Sequence, residues 1–139
     1  MEALEAAAWL VLARFLVRAV PFGRWRAMLG RVCAPEVAGV QRGLDENAAP
    51  RRFARAVERA AARLPGESRC LPRAMALQWM LRRRGLGSVL VLGVRPGLHR
   101  GGLDDLHAWV TRSGEVLIGH TADTHHPLFA AANPRGRHR

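Results

Sequence analysis

Ser68-Arg69-Cys70-Leu71-Pro72-Arg73-Ala74-Met75-Ala76-Leu77 places a cysteine where a helix begins. Pro72 falls in the first turn, where its missing N–H costs nothing. Ser68 stands just outside as a cap. Ala74, Leu77 and Leu81 recur at helical spacing and face a core. Arg82-Arg83-Arg84 suits the negative end of the helix dipole, and Gly85 supplies a left-handed stop. The sequence therefore predicts a helix from Cys70 to Arg84.

Beyond Gly85 the pattern changes. Ser88 to Val94 is rich in Val and Leu and reads as a buried strand. Pro96 to Asp105 carries turn signals at Pro96, Gly97, Gly101 and Gly102 and reads as a loop. Leu106 to Arg112 reads as a second strand, Ser113-Gly114 as a tight hairpin turn, and Glu115 to Ile118 as a third strand. The His125-His126 pair reads as loop or tail, and the basic end from Pro134 as frayed.

Toward the N-terminus, Leu4, Ala8, Val11, Leu12, Phe15 and Leu16 recur at helical spacing until Pro21. Gly23 to Val32 reads as a short second helix, and Ala34 to Asn47 is turn-rich. Phe53, Val57, Ala60 and Leu64 line one face of a helix that starts near Pro50 and stops at Pro65-Gly66. Helices thus precede a small antiparallel sheet. The expected class is α+β, with the cysteine-bearing helix packed on the sheet. The expected parts are an N-terminal helical part, 1–66, and a Cys/His part, 67–139, joined in one compact domain.

Composition narrows the classes of function. The chain has 139 residues, 49% of them hydrophobic and 6% aromatic, with no tyrosine. That argues for a folded chain whose core rests on Leu, Val and Ala. The net charge is +11, from 22 Lys+Arg against 11 Asp+Glu, and every basic residue is arginine. Such a balance fits ordinary surface cations, an acidic protein or peptide partner, or nucleic acid, which is the least favoured of the three. Two cysteines do not make a disulfide framework. Reduced thiols and a cytoplasmic setting are expected, with Cys33 an ordinary packed cysteine. Glu2 and Glu5 stand where a signal peptide would be basic, and Arg14 and Arg18 break the apolar run, so no transmembrane segment is expected. The N-terminal helix instead suits the core, a partner, or a membrane surface.

The chemistry resides in Cys70 and His107. A thiolate is the useful nucleophile, and the unpaired N–H groups of a helix start favour it. An imidazole nearby can take the proton, and a backbone N–H of the helix start can donate to a developing oxyanion. On the strand at Leu106 to Arg112, His107, Trp109 and Thr111 share one face and Leu106, Ala108 and Val110 the other. His107 is expected to face the cysteine helix, with Trp109 beside it to shape a substrate groove. Among the other histidines, His99, His120, His125 and His126 lack paired-cysteine or His-Glu-x-x-His spacing. No metal and no cofactor are expected.

Taken in order, four blocks resemble the lasso-peptide biosynthesis B proteins: Ser68 to Leu77, Leu81-Arg82-Arg83-Arg84-Gly85, Val91-Leu92-Gly93-Val94-Arg95, and His107-Ala108-Trp109-Val110. These are transglutaminase-like, papain-related cysteine peptidases. The chain looks more narrowly like the stand-alone peptidase half of a split B protein. The likeness covers roughly Glu67 to His120; the helical half carries no diagnostic motif. It implies removal of the leader from a ribosomally made precursor peptide, with Cys70 as nucleophile and His107 as general base and acid. It further implies a separate leader-recognition protein and an ATP-dependent lasso cyclase as partners. The family commonly places an acidic residue at the end of the strand after the His-Ala-Trp-Val block. Here Leu117-Ile118-Gly119-His120 has no carboxylate. His120 matches by alignment, and Asp123, from the following turn, matches by chemistry.

Two other functions fit the same residues. An acyl or amide transferase would resolve a thioester with an amine in place of water. A non-enzymatic basic module would use its arginines to hold an acidic peptide or a nucleic acid.

Overall fold

The structure is a computed structural model, and it describes residues 2–33, 48–66, 70–94, 106–119 and 126–133. Its elements run α1 (Glu2–Ala19), α2 (Phe22–Trp25), a 3-10 turn (Arg26–Leu29), β1 (Arg31–Cys33), α3 (Ala49–Arg63), α4 (Cys70–Arg83), β2 (Ser88–Val94), β3 (Leu106–Arg112), β4 (Glu115–Ile118) and β5 (His126–Asn133). The helices α1, α3 and α4 pack on one another, and α4 lies against the sheet. The architecture is the expected α+β, with α4 as the buried layer between.

The interior position of α4 follows from its sequence. From Ala74 to Leu81 every residue is buried, so the helix is apolar nearly all round, as a central helix must be. Its one polar interruption, Gln78, is fully satisfied. Its Nε2 donates to the carbonyls of Leu29 and Ala131, at 2.8 and 2.9 Å. Its Oε1 accepts from the Ser88 hydroxyl at 2.7 Å. Asn133 Nδ2 donates to the Gln78 carbonyl at 2.7 Å. One amide therefore ties the 3-10 turn, β2 and β5 to α4.

The first helix forms where expected but buries a different face. Ala6, Leu10 and Ala13 are buried, whereas Leu4, Val11 and Phe15 are 77%, 53% and 59% exposed. Small residues at 6 and 13 let α1 approach α3 and α4 closely, and larger side chains there would hold the helices apart. Polar contacts fix its direction. Arg84 Nη2 meets Glu5 Oε2 at 2.6 Å and Arg52 Nε meets Glu2 Oε1 at 2.7 Å. The Arg84 guanidinium also lies over the Phe53 ring, 4.3 Å from its centroid.

The expected second helix over Gly23 to Val32 is not what forms. Helix ends at Trp25, a 3-10 turn ends at Leu29, and Arg31–Cys33 becomes a strand. Trp25 and Leu29 are buried anchors. Gly30 then turns at φ +126, against the backbone of Ala132, where a Cβ would collide. The chain leaves that turn already paired with β5, Val32 opposite Ala131.

Among the described residues the sheet has five strands in the order β1-β5-β2-β3-β4, with every neighbouring pair antiparallel. Two more strands form than the sequence reading gave, and His126 opens β5 instead of lying in a tail. Ala130, Ala131 and Ala132 have little preference for strands. They are extended because β1 and β2 hydrogen-bond both sides of β5, and because small side chains fit between the sheet and α4. The helix expected near Pro50 to Leu64 is α3, with Phe53, Val57 and Ala60 buried. No helix among the described residues is long and apolar enough to cross a membrane.

Candidate functional site

Cys70 is the first residue of α4, so its side chain stands beside main-chain N–H groups that lack helical acceptors. His107 lies one residue into β3, opposite Gly93 of β2. Both line one cleft of about 240 Å³, together with Glu58, Arg73, Ile118 and Gly119. The cleft lies where the start of α4 meets the ends of β3 and β4. The thiol and the imidazole, separated along the chain by a helix and a strand, are thus brought to one opening.

His107 does not reach the cleft by facing the helix layer. Ala108 and Val110 take that face and join the main core, while Trp109 packs with Val89, Val91, Ala130 and Cys33 in a small separate cluster. His107 shares the parity of Trp109, and the two rings stack with centroids 5.8 Å apart. Its route to the cleft is the end of the strand. Gly93, its cross-strand neighbour, has no side chain to compete for that space.

The imidazole is held by a main-chain acceptor. His107 Nε2 and the carbonyl oxygen of Gly119 are 2.5 Å apart. A carbonyl only accepts, so Nε2 carries the proton. In the neutral ring Nδ1 is then the accepting nitrogen. Gly119 follows β4 directly, with φ +85, and a Cβ there would lie 2.9 Å from the Trp109 Cα. Only glycine fits this turn without strain.

Charge in the cleft comes from an ion pair. Arg73 Nη1 meets Glu58 Oε2 at 3.1 Å, with both side chains partly exposed. Arg73 lies three residues after Cys70 on α4 and so stands on the same face, one turn along. Cys33 is elsewhere, on β1, and burial pushes its thiol up from the ordinary value.

Of the expected site residues, Cys70 and His107 come together. Trp109 is absent from the described lining of the cleft and lies behind the imidazole. His120 and Asp123 fall outside the described residues, as do His99 and His125. Among the described residues no group of three or more His, Cys, Asp or Glu is placed to hold a metal ion. The sequence reading missed Glu58, Arg73 and Gly119. Arg73 carried a usable signal, its i+3 spacing from Cys70. The carbonyl of Gly119 carried none, because every residue has one.

No curated protein and no solved structure matches the chain. A family model described as the transglutaminase-like superfamily matches residues 16–129, which takes in α3, α4, the cleft and four of the five strands completely or nearly so. The chain belongs to the transglutaminase-like superfamily.

Proposed function

We propose that the chain is a cysteine peptidase that removes the leader from a lasso precursor peptide, with Cys70 as nucleophile and His107 as base and acid. The observation that carries this reading is the placement of a helix-start thiol and an oriented imidazole on the same cleft. His107 Nδ1 takes the thiol proton, and the Cys70 thiolate attacks the scissile carbonyl carbon. The N–H groups at the start of α4 stabilise the resulting oxyanion. As the tetrahedral intermediate collapses, the imidazolium returns its proton to the leaving amine and a thioester remains on Cys70. His107 then deprotonates a water, which attacks the thioester. The carboxylic acid leaves and the thiol is restored.

Trp109, stacked on the imidazole, limits its rotation in this reading. Where the family commonly places an acidic partner of the imidazole, this sequence has His120 and no carboxylate. The partners are the precursor, a separate leader-recognition protein and the ATP-dependent cyclase. The basic surface favours an acidic leader over a neutral one.

The test uses the cognate precursor and mass spectrometry. Cys70→Ala and His107→Ala each abolish cleavage while circular dichroism stays unchanged. Cleavage at the wild-type rate by Cys70→Ala overturns the reading. Membership in the superfamily also fits a transferase, in which an amine replaces water at the thioester. A product heavier by the added amine less one water, in place of the hydrolysed acid, identifies that reaction.

A further inference from the structure

We infer that the main-chain carbonyl of Gly119 is the third member of the site: it holds the Nε2 proton of His107 and presents Nδ1 to Cys70, so that no side chain is needed in that role. The inference deepens the cysteine reading and rests on it. The acceptor and the ring ride on adjacent strands, since Val110 of β3 pairs with Ile118 of β4 immediately before Gly119. The place of the acceptor relative to the β3 backbone is therefore set by sheet hydrogen bonds, which leaves only the torsions of the ring to be restrained. Gly119 is locked in place by its positive φ and by the backbone of Ala108 and Trp109, which closes over the position a Cβ would take. Trp109 stacks against the ring and opposes its rotation. Together these fix both the tautomer and the direction of the imidazole, which is the work an orienting carboxylate does in a triad. A neutral carbonyl supplies the orientation without a full opposing charge. Gly119 is a positioning residue, acting through His107.

The test is made on the full chain, in wild type and in the double variant His120→Ala/Asp123→Ala. The imidazole 15N shifts of His107, recorded where the ring is neutral, report which nitrogen carries the proton. The rate at which iodoacetamide alkylates Cys70 at neutral pH reports the activated thiol. The expected result is the Nε2–H tautomer in both proteins, and a Cys70 rate in the double variant within about twofold of wild type; an ordinary thiol is about 3% ionised at neutral pH, so full loss of activation slows alkylation by up to about 30-fold. An Nδ1–H tautomer, or a larger loss in the double variant, overturns the inference. Gly119→Ala separates positioning from collapse. Loss of positioning slows alkylation at neutral pH and spares it at strongly alkaline pH, where the thiol ionises unaided. Collapse exposes Cys70 and speeds the reaction at both, which counts against a positioning role. If wild-type Cys70 reacts no faster than Cys33, the cysteine reading fails, and the tautomer still reports on Gly119 alone.

Discussion

Cys33 and Cys70 provide an internal comparison of what position does to a thiol. Cys33 packs beside Val91 and Ala130, and burial disfavours its charged form. Cys70 stands at the start of α4, on a cleft shared with an imidazole. With limiting iodoacetamide at pH 7, peptide mapping is expected to find the label on Cys70 first. Cys33 catches up only as the pH rises toward its elevated titration. If His107 is the proton acceptor proposed above, His107→Ala slows Cys70 at pH 7 while leaving Cys33 as it was. Labelling of Cys33 ahead of Cys70 in the wild type contradicts this account. The Glu58–Arg73 pair is a different kind of contact. Both partners are partly exposed, so Glu58→Gln is expected to change stability by less than about 1 kcal/mol in urea unfolding. A larger change would mean that the pair holds α3 on α4. Cys70 and His107 were legible in the sequence because their chemistry is confined to a few side-chain types. Gly119 was not, because its contribution is a carbonyl oxygen and a backbone angle.

Between elements, a few polar contacts decide register where apolar packing alone would allow sliding. Gln78 is the clearest case. Gln78→Leu keeps the volume but takes the amide donor from the buried Leu29 and Ala131 carbonyls and the acceptor from the Ser88 hydroxyl. The expected loss is about 2–4 kcal/mol in chemical denaturation, because each buried group left unsatisfied costs about 1–3 kcal/mol. A loss below ~1 kcal/mol would show that the network is not needed to seat β5. Glu5 joins α1 to the end of α4. Chiefly the hydrogen bond from Arg84 holds its carboxyl below the usual value of 4.5. A carboxyl lowered in the folded state stabilises the fold above its unfolded value, and that contribution vanishes as the pH falls through the folded value. Glu5→Gln should therefore cost about 1–2 kcal/mol at pH 7 and nothing in strong acid, measured as paired urea curves. Equal losses at both pH values would contradict the ion pair. The same scale shows what sequence patterning left unread. The large apolar residues of α1 suggested the wrong buried face, because close helix approach selected its alanines. The strand β5 was hidden because alanine and asparagine announce no strand; tertiary pairing imposes it.

For the molecule as a whole, the change from helix to strand after α4 was legible, since the hydrophobic period changes sharply at Gly85, whereas β1, which precedes α3, was not. The division into 1–66 and 67–139 is where chain order and spatial order separate. One buried cluster runs from Ala6, Leu10 and Ala13 of α1 through α3 and α4 to Ala108, Val110 and Ala131 of the sheet. Strand β1 comes from the first part and closes the sheet on β5 of the second. Cutting between the parts strips α1 and α3 from α4, exposing a helix that is apolar nearly all round, and leaves β5 with an unpaired edge. The isolated 67–139 piece would also lose the Leu29 carbonyl that Gln78 binds and the Glu58 wall of the cleft. Fragments 1–66 and 67–139 are therefore each expected to lack cooperative thermal unfolding by circular dichroism, whereas the full chain melts in one transition. A fragment 67–139 that folds by itself and alkylates at Cys70 as fast as the full chain would show that the helical part only covers the part that carries Cys70 and His107. If neither fragment folds, α1 and α3 are part of the frame that brings the start of α4 to the end of β3, and the cleft exists only when both parts are present.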